Sequence, residues 1–165
     1  MADANTALVT GATGALGPIL VNALLAGGKR VRVVSRRPES GGVFLFPVES
    51  VVGDIADPQT AASAAAHIDV VFHLAAMLHI PNPPASLRAE YERVNVMGTQ
   101  LMIENAQKAG VKRVVFFSTI AVYGATPETI ADETTPPRPD TFYAETKLQA
   151  EAIALSARRS SGEPL

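Results

Sequence analysis

The stretch TGATGALG (10–17) restricts the folds open to this chain more than any other. It follows TALVT (6–10), a compact apolar run with β-branched ends that reads as a buried strand. It runs on into ALGPILVNALLAGG (15–28), which reads as a helix with Pro18 in its first turn and Gly27 and Gly28 closing it. Gly11 permits the tight turn, Gly14 lets the backbone approach a pyrophosphate, and Gly17 lets the helix lie close to the sheet. Free amide groups and the positive end of the helix dipole then face the same point. The spacing is G-x-x-G-x-x-G, not the commoner G-x-G-x-x-G, and three glycines alone carry little weight. Their place between a strand and a helix, with a second strand next, is what predicts a phosphate-binding turn. The competing reading is a glycine-rich loop in an α/β domain that binds nothing.

Short apolar runs and longer helical patterns alternate through the rest of the chain. VRVVSR (31–36), VESVVGDI (48–55), DVVFHLAA (69–76) and VKRVVFFST (111–119) read as strands two to five. PQTAASAAAHI (58–68), AEYERVNVMGTQLMIENAQKAG (89–110) and a segment from about Tyr143 to Ser160 read as helices, with Asp57-Pro58 a turn. The stretches RPESGGVFLFP (37–47), IPNPPASLR (80–88) and YGATPETIADETTPPRPDT (123–141) read as loops. The last of these is too long for a simple connection, which suggests a functional loop. Strands apolar on both faces and separated by helices imply a parallel sheet covered on both sides. Right-handed crossovers make that a doubly wound, three-layer α/β/α arrangement of the Rossmann type. No repeat or linker divides the chain, so residues 1–165 are expected to form one dinucleotide-binding domain.

Composition excludes several classes of function. Hydrophobic residues make up 47% of the 165, enough for a core. A formal net charge of −2 offers no broad attraction to nucleic acid or an anionic membrane. The absence of cysteine removes thiolate chemistry and fits a reducing, cytoplasmic compartment. The start has no secretory pattern, and no apolar run is long enough to span a bilayer. His67, His73 and His79 lack metal-ligand spacing; His67 reads as part of the Ala-rich helix and His73 as a structural residue ending a buried strand. Asp132 and Glu133 read as solvated loop.

Two further places suggest chemistry. An NAD-binding chain usually presents an acid at the end of its second strand, for the ribose hydroxyl. Here that end reads Ser35, Arg36, Arg37, and a guanidinium matches a ribose 2′-phosphate, which favours NADP over NAD. Asp54 and Ile55 close the third strand on the same crevice, where they either hold adenine or merely form a turn. Tyr143 and Lys147 stand at i and i+4 on one helix face. An ammonium beside a phenol favours phenolate, so the pair suits proton transfer at neutral pH. Ser118 and Thr119 end the fifth strand at the edge where ligands bind, and a hydroxyl there can hold a substrate oxygen or form a Ser/Thr turn.

Taken in order, TGATGALG, GDIAD, HLAA, VNVMGT, FFSTIAVYG and YAETK resemble the extended branch of the short-chain dehydrogenase/reductase superfamily. HLAAMLHI and STIAVYG look most like its nucleotide-sugar epimerases and dehydratases. The resemblance implies that Gly11, Thr13, Gly14, Ala15, Leu16 and Gly17 bind the pyrophosphate, Arg36 the adenosine ribose or its phosphate, and Asp54 and Ile55 adenine. It implies that Leu74, Ala75 and Ala76 line the nicotinamide-side ribose, with Asn95 on the long helix beneath. Thr119 takes the Ser/Thr position, Tyr143 the acid/base position and Lys147 the ribose-binding, pKa-lowering one. Ser35 departs from the acid of NAD-preferring members, and Pro18 is unusual so soon after the third glycine.

In that family more strands and a substrate-binding region follow this point. SSGEPL therefore reads as a helix-capping glycine leading toward a sixth strand, with the substrate region missing and the fifth strand left at a sheet edge. The implied partners are a small-molecule substrate, a nucleotide sugar in first place, and a second copy of the chain paired through the long helices; neither nucleic acid nor membrane is expected. Two alternatives stand beside the epimerase/dehydratase reading. One is a non-catalytic dinucleotide sensor or inactive fragment; the other is an NADPH-dependent ketone or aldehyde reductase of the same superfamily.

Overall fold

The computed structural model describes residues 5–38, 43–125, 130–132 and 134–165. Glu133, and parts of the two loops read at 37–47 and 123–141, lie outside the described residues. Among the described residues five strands form one sheet: β1 (Thr6–Thr10), β2 (Arg30–Ser35), β3 (Glu49–Val52), β4 (Val70–His73) and β5 (Arg113–Phe116). All pair in parallel, in the order β3-β2-β1-β4-β5. The helices are α1 (Gly17–Ala26), α2 (Pro58–Ala65), α3 (Arg88–Tyr91), α4 (Gly98–Lys108) and α5 (Phe142–Ser156). The doubly wound α/β/α arrangement is thus present, with β5 and β3 at the sheet edges.

Neighbouring residues of β1 build the two faces, because strand side chains alternate. Val9 joins Val21, Val31 and Val33 under α1. Leu8 joins Val71, Ala61, Ala64, Met102, Ala106 and Val111 under α2 and α4. Each fully buried Val, Leu or Met side chain among these contributes about 1.5–3 kcal/mol. The order of connection reverses between β1 and β4, which opens a crevice at the carboxyl ends of these strands.

Several boundaries differ from the sequence reading. Asp57 is the N-cap of α2, not only a turn: its carboxylate accepts from Thr60 N–H at 2.8 Å, with Pro58 at the first helical position. His67 lies beyond α2 in the left-handed region, at φ 60°. The helix read at 89–110 is interrupted: α3 and α4 are joined by a π-helical segment, Glu92–Met97. Strand β5 stops at Phe116, and Thr119 caps a 3-10 turn, Ile120–Tyr123, by accepting from Ala121 N–H at 3.2 Å. Helix α5 ends at Ser156 with Ala157 extended beyond it; Gly162 is no helix cap but sits at φ 86° between Arg158 and Pro164, which pair as an antiparallel bridge. The cause is local, since the chain turns back at Ala157 and Leu165 N–H reaches Ala157 O at 3.2 Å.

His73 ends β4 at 1% exposure, between two threonine hydroxyls. Ala75 N–H donates to Thr10 Oγ1 at 3.1 Å, Thr10 Oγ1 is 2.8 Å from His73 Nδ1, and His73 Nε2 is 3.1 Å from Thr99 Oγ1. Thr99 donates in turn to Asn95 O at 2.7 Å. Donors and acceptors match along this chain if the imidazole is neutral with its proton on Nε2. Burial, helped by the Lys147 charge, pushes the imidazole down to about 3. In the unfolded chain it titrates near 6.5, so between these values the unfolded state binds more protons and stability falls as pH drops. Urea midpoints measured from pH 7 to pH 4 should decline, and His73→Gln should flatten the decline. An unchanged slope in the variant would assign the loss to other groups.

Candidate functional site

A cleft of about 790 Å³ runs along the carboxyl ends of the strands. Strand order sets its layout. The ends of β2 and β3 bring Ser35, Arg36, Gly53, Asp54 and Ile55 to one end. The turn after β1 and the loop after β4 form the middle, with Thr13, Gly14, Ala15 and Leu16 facing Leu74, Ala75 and Ala76. Phe117 and Ser118 after β5, with Tyr143 and Lys147 of α5, close the other end. Two residues singled out from sequence lie outside the lining among the described residues. Thr119 holds its 3-10 turn, and Asn95 is buried beneath the cleft floor.

The glycine turn fits a phosphate-bearing ligand. Gly11 adopts φ 68°, and a Cβ there would come within 2.7 Å of Ala75 N. A Cβ on Gly17 would lie 2.2 Å from Ala12 O, so α1 approaches β1 as closely as only glycine allows. At Gly14 an added Cβ would meet only Gly11 O, at 3.2 Å, and this bare backbone faces the cleft. No side chain caps the first turn of α1 among the described residues; Gly17 N–H turns back to Gly14 O at 3.2 Å and Pro18 has no N–H, so the helix start offers a ligand its dipole more than a row of free amides.

Lys147 is 3% exposed, and its Nζ donates to Phe117 O at 2.6 Å while sitting 4.1 Å from the centre of the Phe116 ring. Burial pushes this amine down to about 8, against the pull of Glu151. Tyr143, one turn earlier, presents its ring to the cleft edge-on to His79, with centroids 6.3 Å apart. The hydroxyl of Ser118 is bonded to Glu151.

Tyr91 and Arg93 had no signal in sequence, and only the family resemblance pointed to Asn95. Asn95 clamps the loop after β4, accepting from Met77 N–H at 2.7 Å and donating to Met77 O at 3.2 Å and to Thr146 Oγ1 at 3.0 Å. Tyr91 does the same one turn earlier, donating to Leu78 O at 2.8 Å and accepting from Ile80 N–H at 3.1 Å. Both sit at or beside the π segment, where local irregularity commonly accompanies a site. Arg93 pairs with Asp54 and Glu90. No group of three His, Cys, Asp or Glu suited to a metal occurs among the described residues, and no helix there is long and apolar enough to cross a membrane.

Residues 7–164 match the family described as "NAD dependent epimerase/dehydratase family". The chain belongs to that family. Among its curated relatives, "Sterol demethylase protein B" of Methylococcus capsulatus is 37% identical over 150 residues, covering 88% of this chain and 45% of that protein. The "dTDP-glucose 4,6-dehydratase" of Streptomyces niveus is 35% identical, covering 94% of this chain and 50% of that one. Among solved structures, MoeE5 in complex with UDP-glucose and NAD superposes with a TM-score of 0.84 at 36% identity, over 98% of this chain and 52% of that one. The chain thus spans about half the length of the relatives it matches.

A buried amine held near 8 should be visible directly. In carbon-13 spectra one lysine Cε resonance is expected to titrate near pH 8, apart from the rest, and to vanish in Lys147→Met. A spectrum in which every lysine titrates above pH 10 would contradict the burial effect.

Proposed function

We propose that this chain is the cofactor-binding and proton-transfer part of an NAD(P)-dependent oxidoreductase of the epimerase/dehydratase type, acting on a hydroxyl or keto carbon. One observation carries the reading: a single cleft joins a bare-backbone glycine cradle to the Tyr143–Lys147 face of α5. When bound, the nicotinamide dinucleotide supplies the hydride acceptor or donor. Gly11, Thr13, Gly14, Ala15, Leu16 and Gly17 hold the pyrophosphate against the start of α1. Asp54 and Ile55 take adenine, and Leu74, Ala75 and Ala76 line the second ribose. Asn95 fixes the loop after β4 from below.

Tyr143 moves the proton on the substrate oxygen, as acid or base by direction of reaction. Lys147 keeps a positive charge near it at neutral pH and retains ammonium donors beyond the bond to Phe117 O, free for a ribose hydroxyl. Thr119 Oγ1 accepts from Ala121 N–H and so keeps its own proton to donate to a substrate oxygen.

Arg36 without an acid at position 35 supports NADP over NAD, whereas the solved relatives named for their ligands carry NAD. The nucleotide-sugar class is supported by the UDP-sugar complexes of MoeE5. A second reading, a reductase or dehydrogenase of a ketone or secondary alcohol on an apolar skeleton, is favoured by the rim beside His79, where Leu78 and Ile80 are 66% and 39% exposed. We place the protein in the cytoplasm, as one Rossmann domain over 1–165 and as a homodimer paired through the long helices. The absence of cysteine and the family resemblance support that placement.

Calorimetric titration of NADP and NAD should give the tighter binding for NADP, with the difference lost in Arg36→Ala. Equal affinities would return the choice to NAD. In turnover followed at the reduced-nicotinamide band, Tyr143→Phe should cost about 10²–10⁴-fold and leave dinucleotide affinity within about threefold. Unchanged turnover in that variant would remove Tyr143 from the chemistry.

A further inference from the structure

Three charged side chains meet at the β2–β3 end of the cleft. Arg93 donates from Nη2 to Asp54 Oδ2 at 2.9 Å and to Glu90 Oε1 at 2.8 Å, and from Nε to Glu90 Oε2 at 2.8 Å. Ala56 N–H holds the other oxygen of Asp54, Oδ1, at 2.9 Å. Asp54 and Glu90 line the cleft, whereas Arg93 stands behind them, outside the lining.

Two carboxylates on one rim would repel each other and turn toward water. A guanidinium shared between them removes that repulsion and fixes the plane of each. An ionised carboxylate offers about four acceptor positions and no donor. The bonds above use two on Asp54 and two on Glu90, so both keep acceptor capacity. The Arg93 hydrogen bonds also hold both carboxyls below the usual carboxylate range, which keeps them ionised through neutral pH. This wall therefore takes a hydrogen-bond donor and rejects an acceptor.

We propose that Arg93 is a positioning residue that sets Asp54 and Glu90 as a paired acceptor for the 6-amino group of the bound dinucleotide's adenine. The inference rests on the dinucleotide reading of the cleft given above. The adenine 6-amino group is a donor. In the deamino dinucleotide, whose base is hypoxanthine, a carbonyl oxygen replaces it and would face two negative charges. Arg93 acts through the two carboxylates and touches no ligand itself. Its three bonds use the flat fork of the guanidinium, which a lysine ammonium does not reproduce.

The test is calorimetric titration of the chain with NAD and with deamino-NAD. The wild-type chain should bind the deamino form at least about tenfold more weakly, the scale of a lost bond to a charged group. Arg93→Met should bring that ratio to within about threefold of unity, and Arg93→Lys should fall between. Half-exposed ion pairs contribute little to stability, so the variants should melt close to wild type. Glu90→Gln, which keeps Arg93 and its bond to Asp54, should lower the ratio severalfold and serves if Arg93→Met does not fold. A wild-type ratio near one overturns the proposal while leaving the cofactor reading intact. So does an Arg93→Met variant that weakens both ligands equally. Failure of the wild-type chain to bind NAD and NADP alike overturns the cofactor reading itself, and this inference with it; where only NADP binds, the same ratio is read against deamino-NADP.

Discussion

A line of buried hydrogen bonds runs beneath the cleft, and most of the site depends on it. From Ala75 it passes through Thr10, His73 and Thr99 to the Asn95 carbonyl, linking the ends of β1 and β4 to the long helix. The side chain of Asn95 continues it to Met77 and to Thr146 on α5. Sheet, loop and both helices are therefore held by one set of donors and acceptors. A buried polar group costs little only while its partner stays in place, so shifting one member strains the rest. Tyr143 and Lys147 stand on α5, one end of that line.

The cleft is electrically uneven along its length. At the β2–β3 end two guanidinium groups, Arg36 and Arg93, meet two carboxylates, Asp54 and Glu90. In the middle bare backbone and the start of α1 supply only partial charges. At the α5 end Lys147 is the one charged side chain in the lining among the described residues. An elongated ligand with an anionic centre, a donor-bearing base at one end and a reactive carbon at the other matches that distribution.

Sequence made the architecture legible because its signals are local. Val and Leu runs between helical patterns name the strands, and the glycine turn places the crevice. The turn residues, Arg36, Asp54, Leu74 and the Tyr143–Lys147 pair were all singled out, and all line the cleft. What escaped notice depends on contacts distant in the chain. Arg93 reads as one more helix-surface charge until folding brings it to Asp54, 39 residues away. For Thr119 sequence leaves two readings open, a hydroxyl for a substrate oxygen or a Ser/Thr turn; the strand stops early and the oxygen caps the following turn. Nothing in the pattern of 89–110 announces a π segment, since apolar spacing there suits an ordinary helix.

That segment has a consequence for how the long helix tolerates change in length. A π turn takes in one residue more than an α turn, so everything downstream is rotated by about 100° against an uninterrupted helix. The face that α4 gives to the core, with Met102, Ile103 and Ala106, is set by that offset. Asn95 and Tyr91, upstream or within it, face the loop after β4. The helix thus keeps two phases in one rod, and the joint between them takes up the extra residue. Losing a single residue between Glu92 and Met97 would turn the π turn into an α turn and leave both faces where they are, whereas losing one within α4 would turn part of its face away from the core.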